Sequence, residues 1–473
     1  MKVLVKNIRL VLVGIGLAVL PIIASAHSFG ALYNLPVPFW MYLYGGAGSM
    51  VISFIIFAYF FDKKPMHVGS SEFPYKKTHF LKLDGSSFVT ILKVVSFLLF
   101  LLTVLSGFIG ENSSYSNFNM TFFWVIIVLG LTYLAALVGD IYSFLNPWKI
   151  VTDLLVGKDE KPILQYPKFL SYYPALFFYF VFIWFELVGN TTPLKLSFIL
   201  IIYTIINDLG VIAYGREAWY KYCEFFSVFF RLIGKIAPFE YGEGKVHLRL
   251  PFVGLLKERA ESLSLVLFTL FMLSSTAFDG FKETVYWFRF YWKFLDEFMR
   301  PLFGTSSYAI FETVGLALSL VLFYGVYMLL IYLSRVIAQS HHSLKDLALN
   351  FAFSLIPIAL VYNIAHYYTI IFSEGPNIFR LILDPFGFGW NFFGVEGFPS
   401  SLIVGANFVW HSQVGLILAG HIVSVYLTHK VAQSLFFGSK RTFVSQVPML
   451  VLMIVYTMAG LWILSQPLTG GVL

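Results

Sequence analysis

Histidine and carboxylate side chains recur near the ends of long apolar segments in this 473-residue chain. His366 and Asp279 each lie near the end of one apolar run, whereas His411 and Glu312 lie just inside the start of others. Imidazole nitrogens suit copper, zinc or iron, and carboxylates widen the choice of metal. Ionisable groups within the membrane are costly and usually functional, so these residues predict a metal centre with Asp279 or Glu312 as general base. Glu186 and Asp279 also lie beside glycines at segment ends, where an interfacial carboxylate is the alternative interpretation.

A basic stretch, an apolar core and a cleavage pattern occupy residues 1–26, which predicts a signal peptide. Cleavage after the Ala-Ser-Ala at 24–26 would make His27 the first residue, and its α-amine and imidazole could then chelate one ion together. With a third nitrogen from His366 or His411, this set resembles the histidine brace of copper monooxygenases and periplasmic copper-binding proteins. Copper is therefore favoured over zinc. An uncleaved first transmembrane helix is the alternative, since the apolar run approaches spanning length.

A second polar layer is predicted deeper in the membrane. Asp208 lies within one apolar segment, and His421 and Ser424 share a face of another at helical spacing. These groups could line a proton or solute path, although interhelical hydrogen bonds by such residues are also common in helix bundles. His421 lies about 15 Å deeper than His411, because each residue of a helix rises about 1.5 Å. One site therefore cannot contain both histidines.

The composition indicates a membrane protein. Charged residues make up 12% of the chain and hydrophobic residues 58%, whereas about a quarter of the residues in a soluble domain are charged. The single cysteine, Cys223, excludes a disulfide scaffold and a cysteine-based zinc motif.

Ten apolar segments of about 20 residues, each long enough to cross ~30 Å of hydrocarbon, predict an all-α polytopic bundle. Residues 27–473 then form a single ten-helix transmembrane domain after the signal peptide. The predicted spans are 38–61, 88–110, 120–139, 170–189, 196–215, 262–279, 308–334, 347–372, 407–428 and 448–464.

The net charge of +7 follows from the predicted orientation of the chain. With the mature N-terminus in the periplasm, the loops placed inside hold 22 of the 32 Lys and Arg residues, and the loops placed outside hold 6. This asymmetry matches the positive-inside rule and predicts a multi-pass protein of the bacterial inner membrane. The cations thus indicate topology, so no nucleic-acid partner is expected. The lipid bilayer is the expected partner, and a second membrane subunit or a periplasmic partner remains an open alternative.

Three loops carry many aromatic residues. Within the cytoplasmic loop 216–261, aromatic and basic residues interleave, which is typical of an amphipathic helix in the membrane interface. The periplasmic loops 281–305 and 373–406 are similarly aromatic, and we expect short interfacial helices there.

Several strings spread along nearly the whole chain carry a resemblance to known proteins. They are AHSFGALYNLPVP from Ala26, LNPWK from Leu145, GREAW from Gly215, STAFDG from Ser275, AHYYTIIF from Ala365, DPFGFGWNFFG from Asp384 and GHIVSVYLTH from Gly420. Together they resemble a family of bacterial polytopic membrane proteins named after the membrane-bound fenitrothion hydrolase. The resemblance implies hydrolysis of an organophosphorus triester. The matching strings contain His27, Asp279, His366, His421 and His429, and they do not contain His411.

Two functions of different classes follow. The first is a membrane enzyme whose periplasm-facing His/carboxylate metal centre activates water for ester hydrolysis or, with copper, oxygen for oxidation. The second is a copper-handling or solute-translocating protein without catalysis, in which the outer histidines capture an ion and the deeper layer passes it inward. A carrier needs a connected polar path between the layers, and the sequence shows a gap there.

The mature N-terminus gives the first test. We expect intact-mass measurement of the purified protein to place its first residue at His27 and elemental analysis to find about one transition-metal ion per chain, since three nitrogen ligands are sufficient for copper. A chain that retains Met1 would exclude the amino-terminal chelate.

Overall fold

The structure is a computed structural model. It describes residues 37–60, 79–82, 87–157, 161–242, 245–390, 401–402, 404–436 and 439–466. The signal-peptide prediction for residues 1–26 and the predicted ligand His27 lie outside these residues.

Helices dominate the described residues, as the all-α prediction requires. In chain order they are α1 (Phe39–Phe60), α2 (Ser87–Ile109), α3 (Phe118–Val138), α4 (Tyr142–Leu145), α5 (Pro147–Leu155), α6 (Tyr173–Leu187), α7 (Pro193–Tyr214), α8 (Arg216–Tyr222), α9 (Phe225–Gly234), α10 (Gly254–Lys257), α11 (Leu263–Lys282), α12 (Val285–Phe290), α13 (Asp296–Phe303), α14 (Ser307–Ile337), α15 (Leu344–Ser373), α16 (Asn377–Leu383), α17 (Ala406–Leu435) and α18 (Ser439–Ser465).

Nine helices of the described ranges are long and apolar enough to cross a membrane, which confirms the predicted polytopic bundle. Each of the nine matches one of the ten segments predicted from hydropathy. The remaining segment, 170–189, forms the 15-residue helix α6. At about 1.5 Å per residue this helix is only about 22 Å long, shorter than the hydrocarbon core.

A small antiparallel sheet adds a feature that the sequence did not predict. Strand β1 (His79–Lys82) pairs with β3 (Lys245–Leu248), which also pairs with β2 (Phe239–Gly242). The sheet therefore joins the connection between α1 and α2 to the segment that follows α9. In the predicted topology both lie at the cytoplasmic end, which we call the inner end; the opposite end, near Lys282, is the outer end.

Two short helical hairpins enter the bundle from the inner end, and each breaks inside it. The first consists of α4 and α5 and breaks at Asn146; the second consists of α8 and α9 and breaks at Cys223 and Glu224. Tyr203 of α7 bonds Glu224, and it lies eleven residues before the inner end of α7 at Tyr214. Eleven residues correspond to about 16 Å of helix, so the breaks lie about halfway along the 22-residue helix α7.

The two breaks are held together by one carboxylate. Glu224 accepts hydrogen bonds from the backbone N–H groups of Phe226 (3.2 Å) and Ser227 (2.7 Å) at the start of α9. It also accepts one from the Asn146 side-chain amide (3.1 Å) and one from the Tyr203 hydroxyl (2.9 Å). Asn146 in turn accepts from the N–H of Lys149 and thereby caps α5. One fully buried side chain thus satisfies the polar groups that two helix starts would leave exposed to hydrocarbon.

The helix expected in the membrane interface within 216–261 lies in the interior instead. Seven of the ten residues of α9 are buried. Phe225 stacks against Tyr179, at the middle of α6, and lies against Phe182. The pattern of alternating aromatic and basic residues could not distinguish a lipid interface from an aromatic protein interior. At the outer end, by contrast, α12 and α13 are short helices with exposed aromatic rings within the predicted loop 281–305.

Removing the shared acceptor tests this junction. We expect Glu224→Ala to lower the free energy of unfolding by about 3 kcal/mol or more, because several buried donors lose their partner. Thermal unfolding of the detergent-purified variant would measure the effect. Glu217→Ala, at an exposed position of α8, is the matched control and should change little; an equal loss in both variants would contradict the assigned role of Glu224.

Candidate functional site

The outer end of the bundle contains a histidine–carboxylate pair. His366 of α15 lies with its Nε2 atom 2.9 Å from Oδ2 of Asp279 on α11. The same oxygen accepts a hydrogen bond from the Tyr367 hydroxyl at 2.6 Å. Both partners are mostly buried, with 18% of the His366 side chain and 10% of the Asp279 side chain exposed. The structure therefore brings together two residues that the sequence placed in one layer.

Close helix packing makes this pair possible. Gly280 follows Asp279 on α11, and a Cβ atom there would lie 2.7 Å from a side-chain carbon of Ile463 and 3.5 Å from the His366 ring. A larger residue would push α11 away from α15 and α18. Gly280, the glycine of the STAFDG string, thus allows α11 and α15, the two helices that carry the pair, to pack closely.

The hydrogen bond to Asp279 also determines which His366 nitrogen is available. A neutral imidazole that donates its Nε2–H to a carboxylate keeps a lone pair on Nδ1. No described residue makes a hydrogen bond to that Nδ1 atom. An imidazole oriented in this way is suited to bind a metal ion or to accept a proton.

A mostly buried lysine lies one helical turn from Asp279. Lys282 has its Nζ atom 3.0 Å from Glu283 and 3.8 Å from Glu312 of α14, and it donates to the Leu187 carbonyl at the end of α6. Only 10% of the Lys282 side chain and 12% of the Glu312 side chain are exposed. Glu312 is therefore engaged with a cation, and Asp279 with two donors. This geometry favours orientation by Asp279 over direct proton abstraction by either acid.

His411 lies apart from this pair. Its side chain is exposed, its Nδ1 atom is 2.8 Å from the Asn407 carbonyl one turn earlier in α17, and its ring lies near Tyr42. No described contact joins it to His366. The third predicted metal ligand, His27, falls outside the described residues, so the predicted three-nitrogen site stays a prediction.

The deeper polar layer divides between separate helices. Asp208 accepts a hydrogen bond from Thr152 of α5 at 2.6 Å. On α17, His421 lies with Nδ1 2.8 Å from the Ile417 carbonyl, while its Nε2 atom and the Ser424 hydroxyl are buried without a protein partner in the described part of the chain. No contact between Asp208 and the His421 face is found there.

Three residues of the outer cluster were missed or undervalued from the sequence. Tyr367 shares the AHYYTIIF string with His366, yet a tyrosine beside a histidine gave no reason to expect a bond to Asp279. Lys282 counted only as a loop cation, because hydropathy ended the segment at 279. For Glu186 the sequence left an interfacial carboxylate as the alternative, and in the structure its side chain lines a cavity together with Tyr367.

The sequence strings that carry the family resemblance have structural roles where the structure describes them. In GREAW, Arg216 makes a two-pronged ion pair with Asp153, and Trp219 donates to Asn207 while packing against Gly210. In DPFGFGW, the Asp384 carboxylate accepts from three backbone N–H groups of residues 388–390.

Comparison with known proteins gives no relative: no family model matches the chain, and no curated protein or solved structure matches it.

A double-mutant cycle tests the shared oxygen of Asp279. We expect Asp279→Ala and Tyr367→Phe each to lower the thermal unfolding temperature and the free energy of unfolding. The double variant should lose less free energy of unfolding than the sum of the two single losses, by about 1 kcal/mol, because both changes remove the same bond. Tyr368→Phe is the control, since its hydroxyl bonds Ser412 instead. Additive losses for Asp279→Ala with Tyr367→Phe would refute the shared bond.

Proposed function

We propose that the protein is a multi-pass enzyme of the bacterial inner membrane with a hydrolytic, transition-metal-assisted centre at its periplasmic end. The observation that carries this proposal is the Asp279–His366 pair, 2.9 Å apart, with the second nitrogen of His366 left available. Metal-binding histidines commonly donate their other ring N–H to a carboxylate, which fixes the tautomer and raises ligand basicity.

The donor set fits a metal only with help from the mature N-terminus. No group of three His, Cys, Asp or Glu residues that could hold a metal is found within the described ranges. His366 would supply one nitrogen, and His27 would supply its α-amine and imidazole. An all-nitrogen set of this kind favours copper over zinc. When bound, the ion would supply Lewis acidity that polarises an ester oxygen and lowers the pKa of water.

The remaining side chains have roles of their own. Asp279 orients the His366 ring and balances positive charge that develops on it, and Tyr367 fixes the orientation of that carboxylate. Lys282 and Glu312 place an ion pair beside it. In a protein interior with low effective dielectric constant, such fixed charges act on a reacting group more strongly than they would in water.

The proposed substrate class follows from the family resemblance. Fenitrothion hydrolase cleaves an organophosphorus triester, so an ester of this kind, with an aryl leaving group, is the substrate to test first. Oxidation by copper is the second reaction to test. The carrier alternative has less support, because the described contacts of Asp208 and His421 do not form a path that leads inward from the outer pair.

The two outer histidines give a matched comparison. We expect His366→Ala to lose the bound metal and to lower turnover of a p-nitrophenyl phosphotriester at least 100-fold, because the oriented nitrogen is removed. His411→Ala should retain the bound metal and the turnover, since the His411 side chain is exposed and bonds within its own helix. Elemental analysis and released p-nitrophenol measure the two effects on the same sample.

Different results would change the assignment. Full metal content in His366→Ala would remove that residue from the ligand set. Loss of metal from His411→Ala would instead place the site nearer the start of α17. Normal metal content without turnover of any ester in the unmodified protein would favour the copper-handling alternative.

A further inference from the structure

A second polar feature lies inside the bundle, next to the outer pair but distinct from it. A small, partly open cavity of about 40 Å³ lies between α3, α6, α9, α11 and α15. This volume has room for about three water molecules, since one needs about 10–15 Å³. Most of its wall is apolar and aromatic, contributed by α6 and α9, whereas one carboxylate, several hydroxyl groups and one amide supply its polar atoms.

Glu186 is the carboxylic acid of this wall. Within the described part of the chain its carboxylate makes no hydrogen bond and no ion pair, in contrast to Asp279 and Glu312, which are both engaged. An ionised carboxylate away from water is unfavourable unless it is paired. The cavity is the space in which a partner for Glu186 could lie.

The ion pairs around Glu186 point to a cation as that partner. Asp279 contacts His366, and Glu312 contacts the ammonium of Lys282, so each of these two acids has a basic neighbour within 4 Å. Glu186 has no such neighbour among the described residues. A bound cation next to Glu186 would supply it without loss of the hydrogen bonds that Asp279 makes.

The oxygen atoms around the cavity are suited to a hard ion. Thr132 donates its hydroxyl proton to the Val128 carbonyl, and Thr276 donates to the Met272 carbonyl, so both oxygens keep lone pairs that can accept. Ser275 also contributes a hydroxyl to the wall. Oxygen ligands favour alkali and alkaline-earth ions over soft metals. Divalent ions are generally bound by more carboxylates or retain several waters, so one carboxylate in this small space fits a monovalent ion better.

We propose that the cavity binds one alkali-metal cation of sodium size, with Glu186 as its charged ligand and the hydroxyl oxygens of Thr132, Ser275 and Thr276 completing the shell. The Tyr367 ring lines the same cavity while its hydroxyl bonds Asp279. Occupancy of this site therefore stabilises the packing on which the Asp279–His366 pair depends. The site does not require that the chain be an enzyme or bind a transition metal.

Ion-dependent stability tests the site. The full-length detergent-purified protein is unfolded thermally in sodium chloride and in choline chloride at equal ionic strength, because a ligand that binds the folded state raises the unfolding temperature with its concentration. We expect the unfolding temperature to rise with sodium concentration until the site is saturated, and not to rise with choline. Glu186→Gln should lose the rise, and Glu297→Gln, which removes an exposed charge from α13, should keep it.

A second variant covers the case in which Glu186→Gln does not fold. Ser275→Ala keeps the Glu186 carboxylate and removes one ligand oxygen. The sodium concentration that gives half of the maximal rise in unfolding temperature should therefore increase roughly tenfold. Equal unfolding temperatures in sodium and choline, a sodium effect that survives Glu186→Gln, or an unchanged midpoint in Ser275→Ala would each overturn the proposal. The transition-metal content of the unmodified protein reports on the His366 centre separately, so the two proposals can fail independently.

Discussion

The absence of water from the hydrocarbon core is the constraint on which this structure depends. A polar group that cannot reach water must find its partner within the protein, because each unsatisfied group costs several kcal/mol. Two carboxylates show the same solution. Glu224 collects four donors where two helix starts meet, and Asp279 collects an imidazole and a phenol on a single oxygen. At each place one acid determines the positions of several helices.

Aromatic side chains provide the setting in which those acids can lie. Rings from α5, α6 and α9, among them Trp148, Tyr179, Phe225 and Phe226, stack against one another around the helix breaks. Their large area fills the space between short helices that cannot span the bilayer by themselves, and their faces exclude water from the buried hydrogen bonds. The high aromatic content of the chain thus has a structural use beyond contact with lipid.

Hydropathy predicted the long helices because a spanning helix must be apolar over its full length, and nine of the ten segments form helices long and apolar enough to span in the described chain. The re-entrant hairpins were not predicted, since α9 has the composition of an interfacial helix and its depth depends on tertiary contacts. In the site, the rule that intramembrane charges are functional identified His366 and Asp279. Their direct bond, the role of Tyr367 and the burial of Lys282 depend on how three helices cross, which spacing along one chain does not encode.

One stretch of α3 has a wider helical geometry that affects what the neighbouring residues face. Thr121–Leu131 forms a π-helix, in which backbone hydrogen bonds reach five residues back instead of four. Side chains beyond it are therefore rotated about the helix axis relative to their positions in a regular α-helix. A shift by one residue corresponds to a rotation of about 100°. Thr132 follows the stretch directly and lines the cavity. The π-helical stretch of α3 thus determines which side chain of the following turn faces the cavity. A homologue one residue shorter here would present a different side chain to Glu186.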